Sequence, residues 1–296
     1  MWHWIRGCCA WAFGVLLLTC MDSSLAQSPQ AIRKQAEASM LVTGSILIER
    51  DGSVSELEVD DRDKLPDVVA SLVENSGPAW RFEPVLVDGT PRRVKARMSL
   101  LVVAKKLEDG GYRVGIRGSY FGKDAMTAEE RQQEPDAVKA LDLKPPSYPL
   151  SAAEIGARGT AYVVLKIGAD GKVIDAAIEQ VNLRTVGDAN QMKRMRSAFS
   201  RSALTAARGW LFSVPAGATG EHGFVSVRVP VDYEMAGNTL PTYGQWNAYI
   251  PGPRETVPWV QDDQATNESP EAMLAGGLYE VGKGLRLLTP LGGEDS

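Results

Sequence analysis

Cysteine and histidine are scarce in this chain. Its 296 residues include three cysteines, Cys8, Cys9 and Cys20, all near the start, and two histidines, His3 and His222. If residues 1–26 are removed on export, no thiol and one histidine remain. That excludes a cysteine zinc site, a thiol nucleophile and a histidine metal cluster, and it suits an oxidising compartment. His222 stands in the glycine-rich stretch GATGEHGF and reads as an exposed loop residue. Neither a nucleophile elbow nor a phosphate-cradling glycine loop occurs. Long basic runs are missing too, and the net charge of -5 comes from interspersed signs, so the electrostatic footprint of a nucleic-acid binder is lacking. The carboxylate pairs Asp60-Asp61 and Asp262-Asp263 read as solvated surface charge. The expectation is a non-enzymatic chain with no catalytic residue, cofactor or metal.

Residues 1–26 have a short n-region with Arg6, an apolar run and a closing Ser24-Leu25-Ala26. This is the three-part pattern of a secretory signal peptide, with cleavage expected after Ala26. The rival is a retained inner-membrane anchor facing the periplasm. Between Arg6 and Asp22 lie 15 uncharged residues, about 22 Å of helix against a bilayer core of roughly 30 Å. A third reading takes Leu17-Leu18-Thr19-Cys20 as a lipobox, with Thr19 large for its place.

The remaining length suits roughly two domains. From Tyr148-Pro149 a short helix is expected, with proline at its first position and Gly156 and Gly159 ending it. Residues 161–167 read as a strand, GADG as a hairpin loop and 173–181 as the returning strand. Met192, Met195, Phe199, Ala203 and Ala206 follow a helical period. Trp210 and Phe212, two apart, share one face of a short extended segment. In GFVSVRVPVDYE, Val225, Val227, Val229, Val231 and Tyr233 share one face, opposite Phe224, Ser226, Arg228, Pro230 and Asp232. That alternation fits an antiparallel sheet with one buried face, and Pro230 argues for its edge.

The same order stands upstream. GSILIERDGSVSELEV is strand, Asp-Gly turn, strand; DKLPDVVASLVEN is a helix; Trp80 and Phe82 repeat the spacing of Trp210 and Phe212; and Val94, Ala96, Met98, Leu100 and Val102 alternate in a last strand. The expectation is an α+β protein of two units, each an antiparallel sheet of about three strands with helices on one face. Residues 31–117 form the first unit, 118–143 a linker, 144–236 the second unit and 237–296 an extension. The Pro- and aromatic-containing start of the extension reads as a surface strap or as an extended, polyproline-like segment, and residues 276–291 as a small hairpin.

The second unit resembles the C-terminal domain of the TonB family of periplasmic energy transducers. The matching residues are Pro146, Tyr148, Pro149, Ala152, Gly156 and Gly159; then Asp170, Gly171 and Val173; then Ala206, Ala207, Arg208, Trp210 and Phe212; and Val227, Val229, Pro230, Val231 and Tyr233. They span about 90 positions. The first unit keeps the turn, Trp80, Phe82, Pro84 and the last strand, without a tyrosine-proline opening.

The resemblance implies a binding module. In the family, the last strand is an edge that captures an extended segment of an outer-membrane TonB-dependent receptor by strand addition. It implies partner contact at Tyr148, Pro149, Phe224, Val225, Ser226, Val227, Arg228 and Val229, with an open edge along residues 223–233. Two other readings stand beside this. Another strand covers the edge, and Tyr148-Pro149 is only a hydrophobic staple and helix start. A retained leader would add contact with inner-membrane proton-driven motor proteins. The short leader and the lack of a long Pro-rich spacer fit instead a soluble periplasmic adaptor that binds partners without transducing energy.

Overall fold

The computed structural model describes residues 28–260, 268–274 and 276–292. The expected leader and Asp262-Asp263 lie outside them. In the first half α1 (Pro29–Arg33) precedes β1 (Glu37–Ile48), β2 (Val54–Val59), α2 (Asp67–Ser76), the small hairpin β3 (Leu86–Val87) and β4 (Thr90–Pro91), β5 (Val94–Lys106) and β6 (Tyr112–Phe121). Then come α3 (Ala128–Gln133), β7 (Lys139–Asp142), α4 (Leu150–Ala153), β8 (Gly159–Gly168), β9 (Val173–Leu183), α5 (Ala189–Ala207), β10 (Leu211–Ser213) and β11 (Phe224–Tyr233). The extension contributes β12 (Asn247–Tyr249) and β13 (Tyr279–Glu280). The architecture is mixed α and β, with antiparallel sheets and few helices.

Two sheets dominate. The first runs β12-β1-β5-β6, with β2 also on β1; the second runs β13-β11-β8-β9. In the first, Met40, Val42, Ile46, Met98, Leu100 and Val102 pack with Val69, Ala70 and Val73 of α2. In the second, Val163, Leu165, Val227 and Val229 pack with Met192, Met195, Phe199 and Ala203 of α5. The helical period expected over this stretch is therefore the buried stripe, with Ala206 half-buried beside it. A capping box starts α5: Gln191 N–H donates to the Asp188 side chain at 2.8 Å and Asp188 N–H to the Gln191 side chain at 2.9 Å, satisfying two donors a helix start leaves open.

The two Asp-Gly turns dock in the same way. Gly52 and Gly171 have φ of 83° and 76°. The Phe82 N–H donates to Gly52 O at 2.8 Å and the Phe212 N–H to Gly171 O at 2.9 Å. A Cβ on either glycine would fall 2.0 or 1.9 Å from the phenylalanine's carbonyl oxygen. Trp80, Phe82, Trp210 and Phe212 are all buried, as their spacing suggests. Each indole caps a backbone carbonyl: Trp210 donates to Lys144 O at 2.9 Å and Trp80 to Leu291 O at 3.1 Å. The parallel extends to the flanking chain. β7 pairs with β10, placing Ala140 opposite Phe212, and Leu287 bridges to Phe82. Residues 286–291 thus do for the first sheet what 139–144 do for the second, from the other end of the sequence.

Several expectations shift. Pro149 is the N-cap of α4 rather than its first helical residue. Gly156, at φ 60°, is the left-handed stop: its N–H donates to Ala153 O and that of Ala157 to Ala152 O, a Schellman closure. Gly159 instead opens β8, where an added Cβ would lie 2.4 Å from Asn182 O. Residues 118–143 are not a bare connection, because they hold the end of β6, α3 and β7. The closing segment forms no hairpin of its own: β13 pairs with β11. Each sheet thereby exceeds three strands.

Two outcomes follow. Gly171→Ala forces a left-handed alanine against a backbone carbonyl and should cost at least about 2 kcal/mol, read as a lower urea midpoint. Truncation after residue 284 strips Leu287, Leu291 and the Trp80 acceptor from the first sheet. Its amides should lose hydrogen-exchange protection while the β8–β11 amides keep theirs.

Candidate functional site

β11 pairs with β8 over all ten of its residues without a register shift. Val225, Val227 and Val229 are buried in the core beneath α5, as are Val231 and Tyr233. The Tyr233 ring stacks on Phe199 with centroids 4.2 Å apart, and its hydroxyl donates to Phe199 O at 3.1 Å. Tyr148 meets both rings edge-on at 6.0 and 5.8 Å and donates its hydroxyl to Ala157 O. Tyr148 is thus half-buried aromatic packing against α5 and β11 at the helix start, and Pro149 is the N-cap that leads the chain into α4.

The second face of β11 is where the structure departs from an outward strand. The Val281 N–H donates to Ser226 O at 2.9 Å, so the backbone groups of residues 226, 228, 230 and 232 point away from β8. Pro230 therefore removes a donor only from the outer side, as an edge requires. That edge is not open along its length: Val227 and Arg228 stand opposite Glu280 and Tyr279 of β13. The side chains of this face are covered as well, by the extension and the first sheet. Phe224 is half-buried beneath the Lys166 ammonium, 4.2 Å from its ring centroid. Ser226 is half-buried, and Arg228 is 1% exposed.

A guanidinium so deeply buried demands partners. Arg228 Nε donates to Glu179 at 2.8 Å and Nη1 to Glu268, and Arg254 adds a bond to Glu179 at 2.8 Å. Burial works against the Arg228 charge, but Tyr120, Glu179 and Glu268 outweigh it and hold the pKa above the usual arginine range. Along the same layer Glu271 accepts from Asn182 and from Gln180 at 3.2 Å, with Arg117 at 3.9 Å. Burial raises the Glu271 pKa, against Asn182 and Arg117, and likewise that of Glu268, against Arg228. Asp124 is pushed up to about 8, chiefly by burial and then by Glu268, against the pull of Arg131 3.9 Å away. Among the described residues neither Asp124 carboxyl oxygen has a hydrogen-bond partner. Beside this layer is a cavity of about 310 Å³, lined in part by Leu41, Tyr162, Asp232, Tyr243 and Met273.

Glu179, Arg254, Glu268, Glu271 and Asp124 were not singled out in the sequence. The available signal was Arg228 itself, a cation in the middle of a valine-rich strand, which asks for distant carboxylates. Among the described residues no group of three or more histidine, cysteine or carboxylate side chains is placed to hold a metal ion.

Asp124 gives the layer a pH dependence. Its folded pKa lies above the unfolded one, so between about pH 4 and pH 8 the folded state binds more protons. Stability should fall as pH rises through that window. Glu268 and Glu271, also raised, act with the same sign. Asp124→Asn cannot ionise, so its stability relative to the parent should improve by more than about 1 kcal/mol from pH 5 to pH 8, measured by urea titration at each pH.

No protein-family model matches this sequence, and no curated protein matches it. Among solved structures the chain is similar to one described as "Solution NMR structure of Pseudomonas aeruginosa TonB CTD", at 22% identity over 36% of this chain and 93% of that one, with a TM-score of 0.26.

Proposed function

We propose that this chain is a non-enzymatic, periplasmic, TonB-like binding protein built from two TonB-C-like units, 31–117 and 144–236, and clasped by the extension 237–296. Its binding element is the outer edge of β11. The partner is an extended segment of an outer-membrane TonB-dependent receptor or another envelope protein, added as a strand. The observation that carries this reading is that residues 279–281 already sit on that edge as an added strand, holding Ser226, Val227 and Arg228. The corresponding edge of the first sheet, β5, is paired with β6 from Met98 to Lys106, so the two edges differ sharply in cover. The repeated turn docking at Gly52 and Gly171 and the paired roles of Trp80 and Trp210 support the two-unit reading.

The backbone cover is only two residues long, although Leu278 and Tyr279 also bury their side chains. Each of its backbone bonds contributes about 0.5–1.5 kcal/mol net, within reach of a longer incoming strand. Binding then means exchange of β13 for the partner, with Arg228 held in place by Glu179 throughout. In the transport-linked form a retained leader would also meet inner-membrane motor proteins. In the adaptor form the leader is cleaved after Ala26 and the chain works in solution. N-terminal sequencing of the exported protein separates the two, giving Met1 or Gln27.

Val281→Pro deletes the donor that bonds Ser226 O. It should raise affinity for receptor-derived extended peptides by up to about tenfold, followed by amide shifts over residues 224–233. Unchanged affinity in the variant, or shifts confined to residues 237–260, would contradict strand exchange at this edge.

A further inference from the structure

On the opposite side of the second sheet, α5 and its C-cap carry five cations, Lys193, Arg194, Arg196, Arg201 and Arg208, and no carboxylate occurs from residue 189 to 220. In a chain of net charge -5, this is a strong local reversal. Surface helices usually interleave acids with such bases, because i and i+4 pairs stabilise the helix. Arg196 is engaged, donating to Val181 O and Pro251 O at 3.1 Å each. Among the described residues the Arg201 guanidinium meets only a hydroxyl, Ser197 Oγ, at 2.6 Å. Lys193, Arg194 and Arg208 are exposed and form no ion pair among the described residues.

These cations border a groove. Residues 144–149 and α4 form one wall and α5 the other. Two adjoining hollows of about 410 and 580 Å³ meet at Ser151, Ala198 and Arg201. Ala198 and Ser202 line the floor, short enough for another backbone to come close. Ile155, two residues past α4, is 53% exposed and lines one end, and Leu150, the first residue of α4, is 82% exposed. A single exposed aliphatic residue is ordinary. Here Ile155 lies in a concave surface lined, among the described residues, by cations and no carboxylate, with Glu154 exposed next to it.

We propose that the α4–α5 groove docks an acidic protein segment with an aliphatic anchor. Its carboxylates would face Lys193, Arg194 and Arg201, and its apolar side chain would lie against Ile155. The 19-residue α5 is about 28 Å long, room for about eight extended residues. Concavity favours a peptide over an anionic bilayer, since a flat surface cannot reach the Ala198 floor. This surface is separate from the β11 edge, so both can be filled at once.

The test titrates the full chain with a synthetic peptide of about twelve residues, glutamates interrupted by leucines, and follows amide shifts. The expected shifts fall in residues 144–155 and 191–209, weaken with salt and leave residues 224–233 unchanged. Combined Lys193→Gln, Arg194→Gln and Arg201→Gln should weaken binding by about tenfold or more, with thermal unfolding unchanged. Ser151→Trp, which keeps the charges and blocks the groove, should weaken it comparably. Absence of shifts at millimolar peptide would overturn the proposal. So would equal binding by both variants, or capture of the chain by phosphatidylglycerol vesicles with no response to peptide.

Discussion

A buried guanidinium governs this structure. Arg228 projects from the middle of β11 into a space closed to solvent, and such a charge is tolerated only when paired. One partner, Glu179, comes from β9, across β8 in the same sheet. The other, Glu268, comes from the extension. The extension is therefore bound to the second sheet by charge as well as by packing. Having reached Arg228, it continues past Glu271, lays β13 on the β11 edge, and returns to the first sheet at Phe82 and Trp80. Covering an edge, filling the space between two sheets and finishing a distant core are consequences of one path.

That path also explains why the polar layer is tense. Three carboxyls in or beside it, Asp124, Glu268 and Glu271, have pKa values raised by burial, and among the described residues the Asp124 carboxyl has no hydrogen-bond partner. Buried polar groups of this kind cost stability when unpaired and confer geometric specificity when paired. The β13 segment is held by two strand residues and by the buried side chains of Leu278 and Tyr279. The proposed exchange of β13 for a partner strand requires those two side chains to leave the core while the sheets beneath stay folded.

Much of the core was legible. The Asp-Gly turns, the Trp-x-Phe pairs, the α5 stripe and the valine face of β11 are local patterns, set by turn chemistry and by periods of 2 and 3.6. Cover from afar was not legible. β12 pairs with β1 and β13 with β11, and residues 286–291 serve Trp80 from some 200 positions away. Such short strands carry no periodic signal. Ser226 and Arg228 illustrate the limit: alternation marks two faces of a strand, but not whether the polar face meets water or a buried ion pair. Of the residues expected to touch a partner, Tyr148 packs inward on Phe199 and Tyr233, while Ser226 and Arg228 do lie on the edge that β13 occupies.

The central claim is that the β13 segment is a removable strand on an otherwise stable sheet. Native-state hydrogen exchange of the full chain in low denaturant tests it directly, by comparing the Val281 amide with the Val163 and Leu165 amides of β8. The account predicts that Val281 exchanges through a local opening, with a free energy well below that of the β8 amides and insensitive to denaturant. Exchange of all three amides with the same free energy and the same denaturant dependence would mean that the segment leaves only when the sheet unfolds, which would contradict the account.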